Sequence, residues 1–386
     1  ESRCDLLLEQ IKTEQLSGVV LFESHYILYY SGFAFIPTER PIAFVMNANG
    51  EKGLFVPRLE DEHAKANAMI QRVDHYLEYP YEPHPMEILK SMLTDMGIMD
   101  TIGVDHDGNP WIFGYRGPSF QELTGGTPRY ITSFIEDMMM IKSEAELALI
   151  RESVKWGHLA HVLLQRYTKV GLTETEVSQR ASTEANLAML DTIGPLYKAQ
   201  NPFSSGAGAG YRGQIGRNAA IPHALANNIV FQEGDVLVTG ASAPMWGYNS
   251  ELERTMIIGS ASDEQKMMFD HMVALQDTAF AAIKPGALCA DVDKTVRKYY
   301  YDHDLMTNWK HHVGHAIGLR YHEAPFLDIG DQTVIEPGMV FTVEPGLYIP
   351  ELGGFRHSDT VAVTEHGIEM MTYYPRDLES LTIPAS

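Results

Sequence analysis

The chain has 386 residues, which exceeds the size of one small hydrophobic core and predicts two domains. Its composition, with 45% hydrophobic and 21% charged residues, is that of a globular protein, and its formal charge of −22 argues against nucleic acid and anionic membranes as partners. No apolar run approaches the length of a membrane span, and two distant cysteines, Cys4 and Cys289, predict a reducing, cytoplasmic compartment rather than a disulfide framework.

The first third of the sequence alternates helical and extended patterns. Apolar spacing predicts a helix over residues 5–14 and a buried strand over residues 18–22. A turn signal at residues 47–50, between two apolar runs, predicts a hairpin. The candidate binding residue here is Arg40, which lies between a turn and a strand. We therefore predict an α/β domain over residues 1–137.

A second domain is predicted over residues 138–386. It opens with Ser143-Glu-Ala-Glu, a capping box that begins a helix running to about residue 165, and a second Thr-x-x-Glu signal begins a helix over residues 173–189. Two further helices are expected over residues 263–283 and 290–303. Strands and glycine-rich turns occupy most of the remainder, so this domain also mixes helix and sheet.

Acidic residues share strand faces in the second domain. In a strand predicted over residues 248–258, the alternation of side chains places Glu251 and Glu253 on one face. Glu344 ends another strand, on its inward face. Carboxylates are costly to bury without a positive partner, and desolvation with like charge raises their pKa values. We therefore expect a metal ion or a cationic substrate group to neutralise this pocket.

Two histidines are further candidates. His315 lies between Gly314 and Gly318, which indicates close approach of the backbone to another group. His223 follows a proline at the end of a glycine-rich loop over residues 204–226, which lacks the lysine and hydroxyl pair of a phosphate loop. An isolated histidine is more often structural than catalytic, so neighbouring motifs must decide its role.

Seven motifs together resemble the pita-bread family of creatinase, prolidase, aminopeptidase P and methionine aminopeptidase. They are N-A-A-x-P-H at 218–223, G-D-V-L-V at 234–238, G-Y-x-S-x-x-x-R-T at 247–255, G-H-x-I-G at 314–318, H-E-x-P at 322–325, V-E-P-G at 343–346 and G-G-x-R at 353–356. The Glu-Arg40-Pro segment is similar to the N-terminal domain of creatinase and prolidase. The resemblance implies an α/β (α+β) fold with a creatinase/prolidase-type N-terminal domain, a C-terminal pita-bread catalytic domain and a homodimer.

Metal-dependent members of this family hold two divalent ions with five residues. The corresponding positions here are Thr239, Glu251, His315, Glu344 and Ser358, so two carboxylates are replaced by hydroxyl side chains. Hydroxyls are poor ligands for Mn²⁺, Co²⁺ or Zn²⁺, and a dinuclear site is not expected. A single ion (Mn, Zn, Fe or Co) held by Glu251, His315 and Glu344 is the alternative to a site without metal.

The departures resemble the creatinase branch, in which the metals have been lost. By that resemblance Glu253 and Glu344 hold a cationic amidino group, and His223 is the general base. Arg40 would reach from the neighbouring subunit to the substrate carboxylate. His322 stands where creatinase has a second carboxylate-binding arginine, so creatine itself is not the expected substrate.

The predicted function is metal-independent hydrolysis of a C–N bond (amidino, amide or cyclic amidine) in a small zwitterionic molecule. The candidate catalytic residues are His223, Glu251, Glu253 and Glu344, and the candidate substrate-binding residues are Arg40, His315, His322, Arg356 and Tyr248. Glu251 is a third contact or a carboxylate nucleophile, as proposed for ectoine-type hydrolases of this fold. Three alternatives stay open: a metal-dependent Xaa-Pro dipeptidase or aminopeptidase, a lyase acting on a sulfonium or betaine zwitterion such as dimethylsulfoniopropionate, and a non-catalytic binding scaffold.

Overall fold

The computed structural model describes residues 3–202 and 204–385, and the chain divides into two compact units after Met138. The sequence predicted a division between residues 137 and 138. Among the helices of the described residues, none combines the length and apolarity that a bilayer span requires.

The N-terminal unit is built on a six-stranded mixed sheet. Its helices are α1 (Arg3–Thr13), α2 (Ser24–Ser31), α3 (Asp61–Asn67), α4 (Pro85–Asp95) and α5 (Phe120–Thr124), and α6 (Thr132–Met140) crosses the division. Its strands are β1 (Gly18–Leu21), β2 (Ala43–Asn47), β3 (Lys52–Pro57), β4 (Arg72–Tyr76), β5 (Thr101–Val104) and β6 (Thr127–Tyr130), in the order β4-β3-β2-β1-β5-β6. β2 and β3 form the predicted hairpin, and Gly50 in its turn has φ +85°.

The C-terminal unit combines four long helices with mostly antiparallel sheets. The helices are α7 (Glu144–Tyr167), α8 (Glu174–Ile193), α9 (Asp263–Ala282) and α10 (Cys289–Asp302). The first strands are β7 (Gly208–Gly210), β8 (Val236–Val238), β9 (Gly240–Ser242), β10 (Leu252–Glu253), β11 (Thr255–Ile258), β12 (Gly314–Ala316) and β13 (Glu323–Leu327). The last are β14 (Val340–Val343), β15 (Gly346–Ile349), β16 (Gly353–Arg356), β17 (Ser358–Thr364), β18 (Gly367–Met370) and β19 (Thr382–Ile383).

One sheet carries most of the candidate site residues. Its strand order is β13-β12-β14-β17-β10-β9-β7, with β18 paired to β17, while β19-β11-β8 and β15-β16 form two smaller sheets. The strand predicted over residues 248–258 is interrupted at Arg254, so β10 and β11 belong to different sheets. Glu251 and Glu253, which precede this break, nevertheless line the same cavity, as their alternation predicted.

Side-chain caps begin the helices where the sequence predicted them. Ser143 forms a capping box with Glu146 at the start of α7, and Ser262 forms one with Gln265 at the start of α9. The hydroxyl of Thr173 accepts from the backbone N–H of Glu176 at the start of α8. The helices pack on an apolar core that includes the fully buried residues Leu164, Met272, Val296 and Phe341.

Gly314 allows β12 and β14 to approach each other. A Cβ atom at this position would lie 2.0 Å from the carbonyl oxygen of Thr342, a separation that no side chain tolerates. Thr342 in turn accepts a hydrogen bond from the backbone N–H of His315 at 3.2 Å. The glycine therefore fixes the distance between the strand that carries His315 and the strand that leads to Glu344.

We expect Gly314→Ala to destabilise the protein by about 2 kcal/mol or more, because the new methyl group must push β12 away from β14. The measurement is urea unfolding followed by circular dichroism. Gly208→Ala on β7 is the matched control, since a Cβ atom there meets nothing within 4 Å. Equal stability of the two variants would contradict this account of the close approach.

Candidate functional site

Three separate strands bring potential metal ligands together. Glu251 immediately precedes β10, His315 lies in β12, and Glu344 immediately follows β14. One ligand atom from each residue can be chosen so that all three lie within 4.8 Å of one another. The sheet order places these strands close in space, although the residues are up to 93 positions apart in the chain.

The ring of His315 is oriented by the backbone of the next residue. Its Nδ1 lies 3.0 Å from the carbonyl oxygen of Ala316, which accepts a hydrogen bond when Nδ1 is protonated. The Nε2 atom is buried and 3.2 Å from Oε1 of Glu344, but the two are not aligned for a hydrogen bond. The ring of His322 stacks on that of His315 at 3.9 Å. His315 therefore presents Nε2 to the two carboxylates.

The three groups strongly perturb each other's ionisation. Burial lowers the pKa of His315, but the carboxylates of Glu344 and Glu251 outweigh it and raise this pKa to about 9. Burial, followed by repulsion from Glu344 and Glu253, raises the pKa of Glu251 to about 7. Burial also opposes ionisation of Glu344, yet His315 and Arg356 hold its pKa below the usual range. The cluster therefore favours a charged imidazole beside an ionised Glu344, and a metal ion bound at Nε2 would take the place of its proton.

Arginines of the chain itself neutralise Glu253. The Nε of Arg356, a residue only 3% exposed, donates to Oε2 of Glu253 and lies 3.7 Å from Oε2 of Glu344. Arg212 donates from Nη2 to Oε1 of Glu253 at 2.6 Å. The sequence assigned this neutralising charge to a metal or to substrate, and the structure corrects that assignment for Glu253. Glu253 is thus a partner of two guanidinium groups and has no carboxylate oxygen left unpaired by them.

The residues fit one divalent ion better than two. One imidazole nitrogen and two carboxylates, with Nε2 of His315 buried and unbonded, form a suitable donor set for a single ion. Ser358 is near this set, since its hydroxyl donates to Oε1 of Glu251 at 2.7 Å, but it adds no carboxylate. The chemistry of these side chains therefore opposes a second ion.

The resemblance matched Thr239 to the first aspartate position of the family, and that match was wrong. Its hydroxyl is fully buried, 2.7 Å from Nε2 of His161, and donates to the backbone carbonyl of Arg254. The next residue, Gly240, lines a cavity with Glu251 and Glu253. The family's carboxylate on this strand is therefore replaced by Gly240, and the absence of a side chain there leaves open space in the cavity.

Two cavities meet at these residues. The larger cavity, of about 620 Å³, is lined by Glu251, Glu253, Glu344, Arg356, His322 and His223, among others. The smaller cavity, of about 400 Å³, is lined by glycine, alanine and serine residues of β7 and β9 together with Tyr321. Arg212, Glu251, Glu253 and His322 border both cavities. His223 is exposed at the wall of the larger one, so a proton could reach it from solvent.

Two predicted binding residues have other partners. The hydroxyl of Tyr248 donates to Oε1 of Glu146 at 2.6 Å, and Tyr248 does not line either of these two cavities, so its role in substrate binding stays a prediction. Arg40 belongs to the N-terminal unit, where it donates from Nε to Glu78 at 2.6 Å and from Nη1 to Glu39 at 2.7 Å. Its reach into a neighbouring subunit stays a prediction.

Sequence reasoning missed several residues of the site. Arg212 was missed in the glycine-rich loop, although an arginine among glycines is a signal for a charge held at a defined position. Tyr348 was overlooked on β15, where its hydroxyl accepts from Nη1 of Arg356 at 2.9 Å and lies 2.7 Å from Nε2 of His311. No local pattern indicates His311, because it is brought into the cavity wall only by folding.

Fold and site together define a hydrolase with a creatinase-type N-terminal domain. Residues 148–365 match metallopeptidase family M24, and residues 3–116 match the creatinase/prolidase N-terminal domain. The chain belongs to metallopeptidase family M24 and is a hydrolase of that family. This result confirms the resemblance to the pita-bread family and the predicted mixed fold.

Relatives extend over nearly the whole chain. A Xaa-Pro dipeptidase of Pyrococcus furiosus is 27% identical over 98% of this chain and 99% of its own length. An uncharacterised peptidase of Staphylococcus haemolyticus is 25% identical over 97% of this chain and 100% of its own length. The crystal structure of the prolidase from Pyrococcus horikoshii superimposes with a TM-score of 0.82 at 25% identity, covering 98% of this chain and 100% of that one.

Removing Arg356 should be costly to the folded state. We expect Arg356→Met to lower the free energy of unfolding by about 3 to 5 kcal/mol, because it leaves the buried carboxylate of Glu253 without its buried partner. The measurement is urea unfolding at neutral pH.

The double variant Arg356→Met with Glu253→Gln is the matched control, because it removes the uncompensated charge as well. It should recover part of the lost stability. Strict additivity of the two single changes would contradict the ion pair as the cause.

Proposed function

We propose that the chain hydrolyses the amide bond of a small dipeptide-like substrate, with one divalent ion held by Glu251, His315 and Glu344. The observation that carries this proposal is the convergence of these three ligand atoms within 4.8 Å around the buried, unbonded Nε2 of His315. The Xaa-Pro dipeptidase from Pyrococcus furiosus, similar over nearly its full length, supports the dipeptide class. When bound, such an ion supplies Lewis-acid polarisation of the scissile carbonyl group.

The residues of the chain have distinct roles in this proposal. His223, exposed on the wall of the larger cavity, carries protons to and from the reacting groups as general base and acid. Arg356 keeps Glu344 ionised and oriented, since its Nε lies 3.7 Å from Oε2 of that carboxylate. Ser358 holds Glu251 through its hydrogen bond at 2.7 Å. His322 covers one face of the His315 ring and limits its rotation.

A second candidate is hydrolysis without metal in the manner of creatinase. It is favoured by Gly240 and Ser358, which supply no carboxylate at two positions around the site. In that case Glu251 and Glu344 would contact the cationic part of a zwitterionic substrate. The two candidates differ in one measurable property, which is the dependence of turnover on a divalent ion.

Metal content and chelator sensitivity separate these candidates. We expect protein purified without added ions to contain about one divalent ion per chain by elemental mass spectrometry, because three ligands of the right chemistry converge. Hydrolysis of glycyl-L-proline should be lost after a strong chelator and restored by Mn²⁺. His315→Ala should lose the ion. Full activity on metal-free protein would support the second candidate, and two ions per chain would contradict both.

A second ion should be restorable by two substitutions. We expect Gly240→Asp with Ser358→Glu to raise the metal content from about one to about two ions per chain, because both changes add carboxylates beside Glu251. Space is available, since a Cβ atom at Gly240 would meet nothing closer than Oε1 of Glu253 at 3.6 Å.

The control introduces the aspartate one position earlier in the chain, at residue 239 instead of residue 240. Thr239→Asp with Ser358→Glu should add no ion, because the side chain at position 239 faces His161. Circular dichroism would verify that each variant is folded. A second ion in this control but not in the Gly240 variant would refute the placement of Gly240 at the site.

A further inference from the structure

Arg212 has an unusual backbone conformation for its residue type. Its φ is +51°, in the left-handed region that β-branched and long side chains rarely adopt, and Gly213 after it has φ +75°. Strained residues persist only where surrounding contacts enforce them, and they concentrate at functional sites. The conformation places the guanidinium of Arg212 at the border of both cavities.

Buried groups enforce this conformation. The carboxylate of Glu174, 2% exposed, accepts from the backbone N–H of Gly213 at 2.7 Å and from those of Asn227 at 2.8 Å and Ile229 at 3.2 Å. The side-chain amide oxygen of Gln214, which is fully buried, accepts from Nη2 of Arg212 at 3.2 Å. The turn that carries Arg212 is therefore anchored to the interior through Gly213 and Gln214.

The guanidinium of Arg212 is only partly used by the protein. Nη2 donates to Glu253 and Gln214, and within residues 3–202 and 204–385 the Nε and Nη1 groups have no hydrogen-bond partner. The side chain is 50% exposed, whereas that of its partner Glu253 is 3% exposed. Arg356, by contrast, is buried and donates to Glu253, Tyr348 and the carbonyl of Pro222. Arg212 is thus the more exposed arginine of this pair, and it retains its Nε and Nη1 donors for a ligand.

We propose that Arg212 binds the carboxylate of the substrate at the junction of the two cavities and selects free acids over amides. This inference rests on the proposed function, because it places the scissile bond at Glu251, His315 and Glu344. Guanidinium groups bind carboxylates through paired, charge-assisted hydrogen bonds. The smaller cavity, which is lined by small residues, gives room for the end of the substrate that carries this carboxylate.

Binding of reaction products tests the proposal independently of turnover. The probes are L-proline and L-prolinamide, which differ in the carboxylate, and the measurement is calorimetric titration of the full-length protein. We expect the wild-type protein to bind L-proline at least about tenfold more tightly, from the strength of a charged hydrogen bond. Arg212→Met should abolish this preference, and Arg212→Lys should retain only part of it.

Two further arginines provide controls. Arg217 is an exposed residue of the same loop that lines neither cavity, so Arg217→Met should keep the preference of the wild-type protein. Arg40→Met tests the rival carboxylate anchor in the N-terminal unit. A structural role of Arg212 in neutralising Glu253 would change stability in urea, but it would not change the ratio of the two dissociation constants.

Several outcomes would overturn the assignment of Arg212. They are an absent preference in the wild-type protein, undetectable binding of both probes, an unchanged preference in Arg212→Met, and loss of the preference in Arg40→Met alone. The proposed function fails on a different observation, namely an absence of dipeptide hydrolysis by metal-loaded protein. A preference for L-proline that depends on Arg212 would stand even then, so the two failures are distinguishable.

Discussion

The ion pair between Arg356 and Glu253 is the interaction on which the site depends. It joins the end of β16 to β10, and the same guanidinium also reaches Tyr348, Glu344 and the carbonyl of Pro222 in the His223 loop. A carboxylate as buried as that of Glu253 is unstable in the folded protein unless a cation is fixed beside it. By supplying that cation from within the chain, the protein leaves Glu251 and Glu344 to interact with other groups.

This arrangement makes the site electrostatically asymmetric. On one side, Arg356 and Arg212 surround Glu253, and on the other, His315 faces Glu344 and Glu251. The asymmetry suits a substrate with a polar bond at one end and a negative charge at the other, because each end then meets a complementary field. The open space beside Gly240 adds room on the side of the arginines, where a carboxylate ligand would otherwise stand.

Much of the fold could be predicted from local signals, whereas the site was predicted only in part. Capping residues and apolar spacing determine where α7, α8 and α9 begin, so these helices were found within a few residues. Alternation correctly placed Glu251 and Glu253 in one cavity, but it could not reveal the break at Arg254 or the neighbours of each acid across the sheet. Thr239 was misassigned because a single strand position decides which way a side chain points. Arg212 was missed because its placement depends on buried contacts from α8.

The three hydrogen bonds accepted by Glu174 have a consequence for motion. Because one carboxylate fixes Gly213 and residues 227–229 to the first turn of α8, the segment between them has both ends tied to a single rigid point. The entropic cost of closing this loop is met during folding, before any ligand arrives. His223 lies within this closed loop and Arg212 directly precedes it, so less binding free energy is needed to hold the ends of the loop together when a ligand binds.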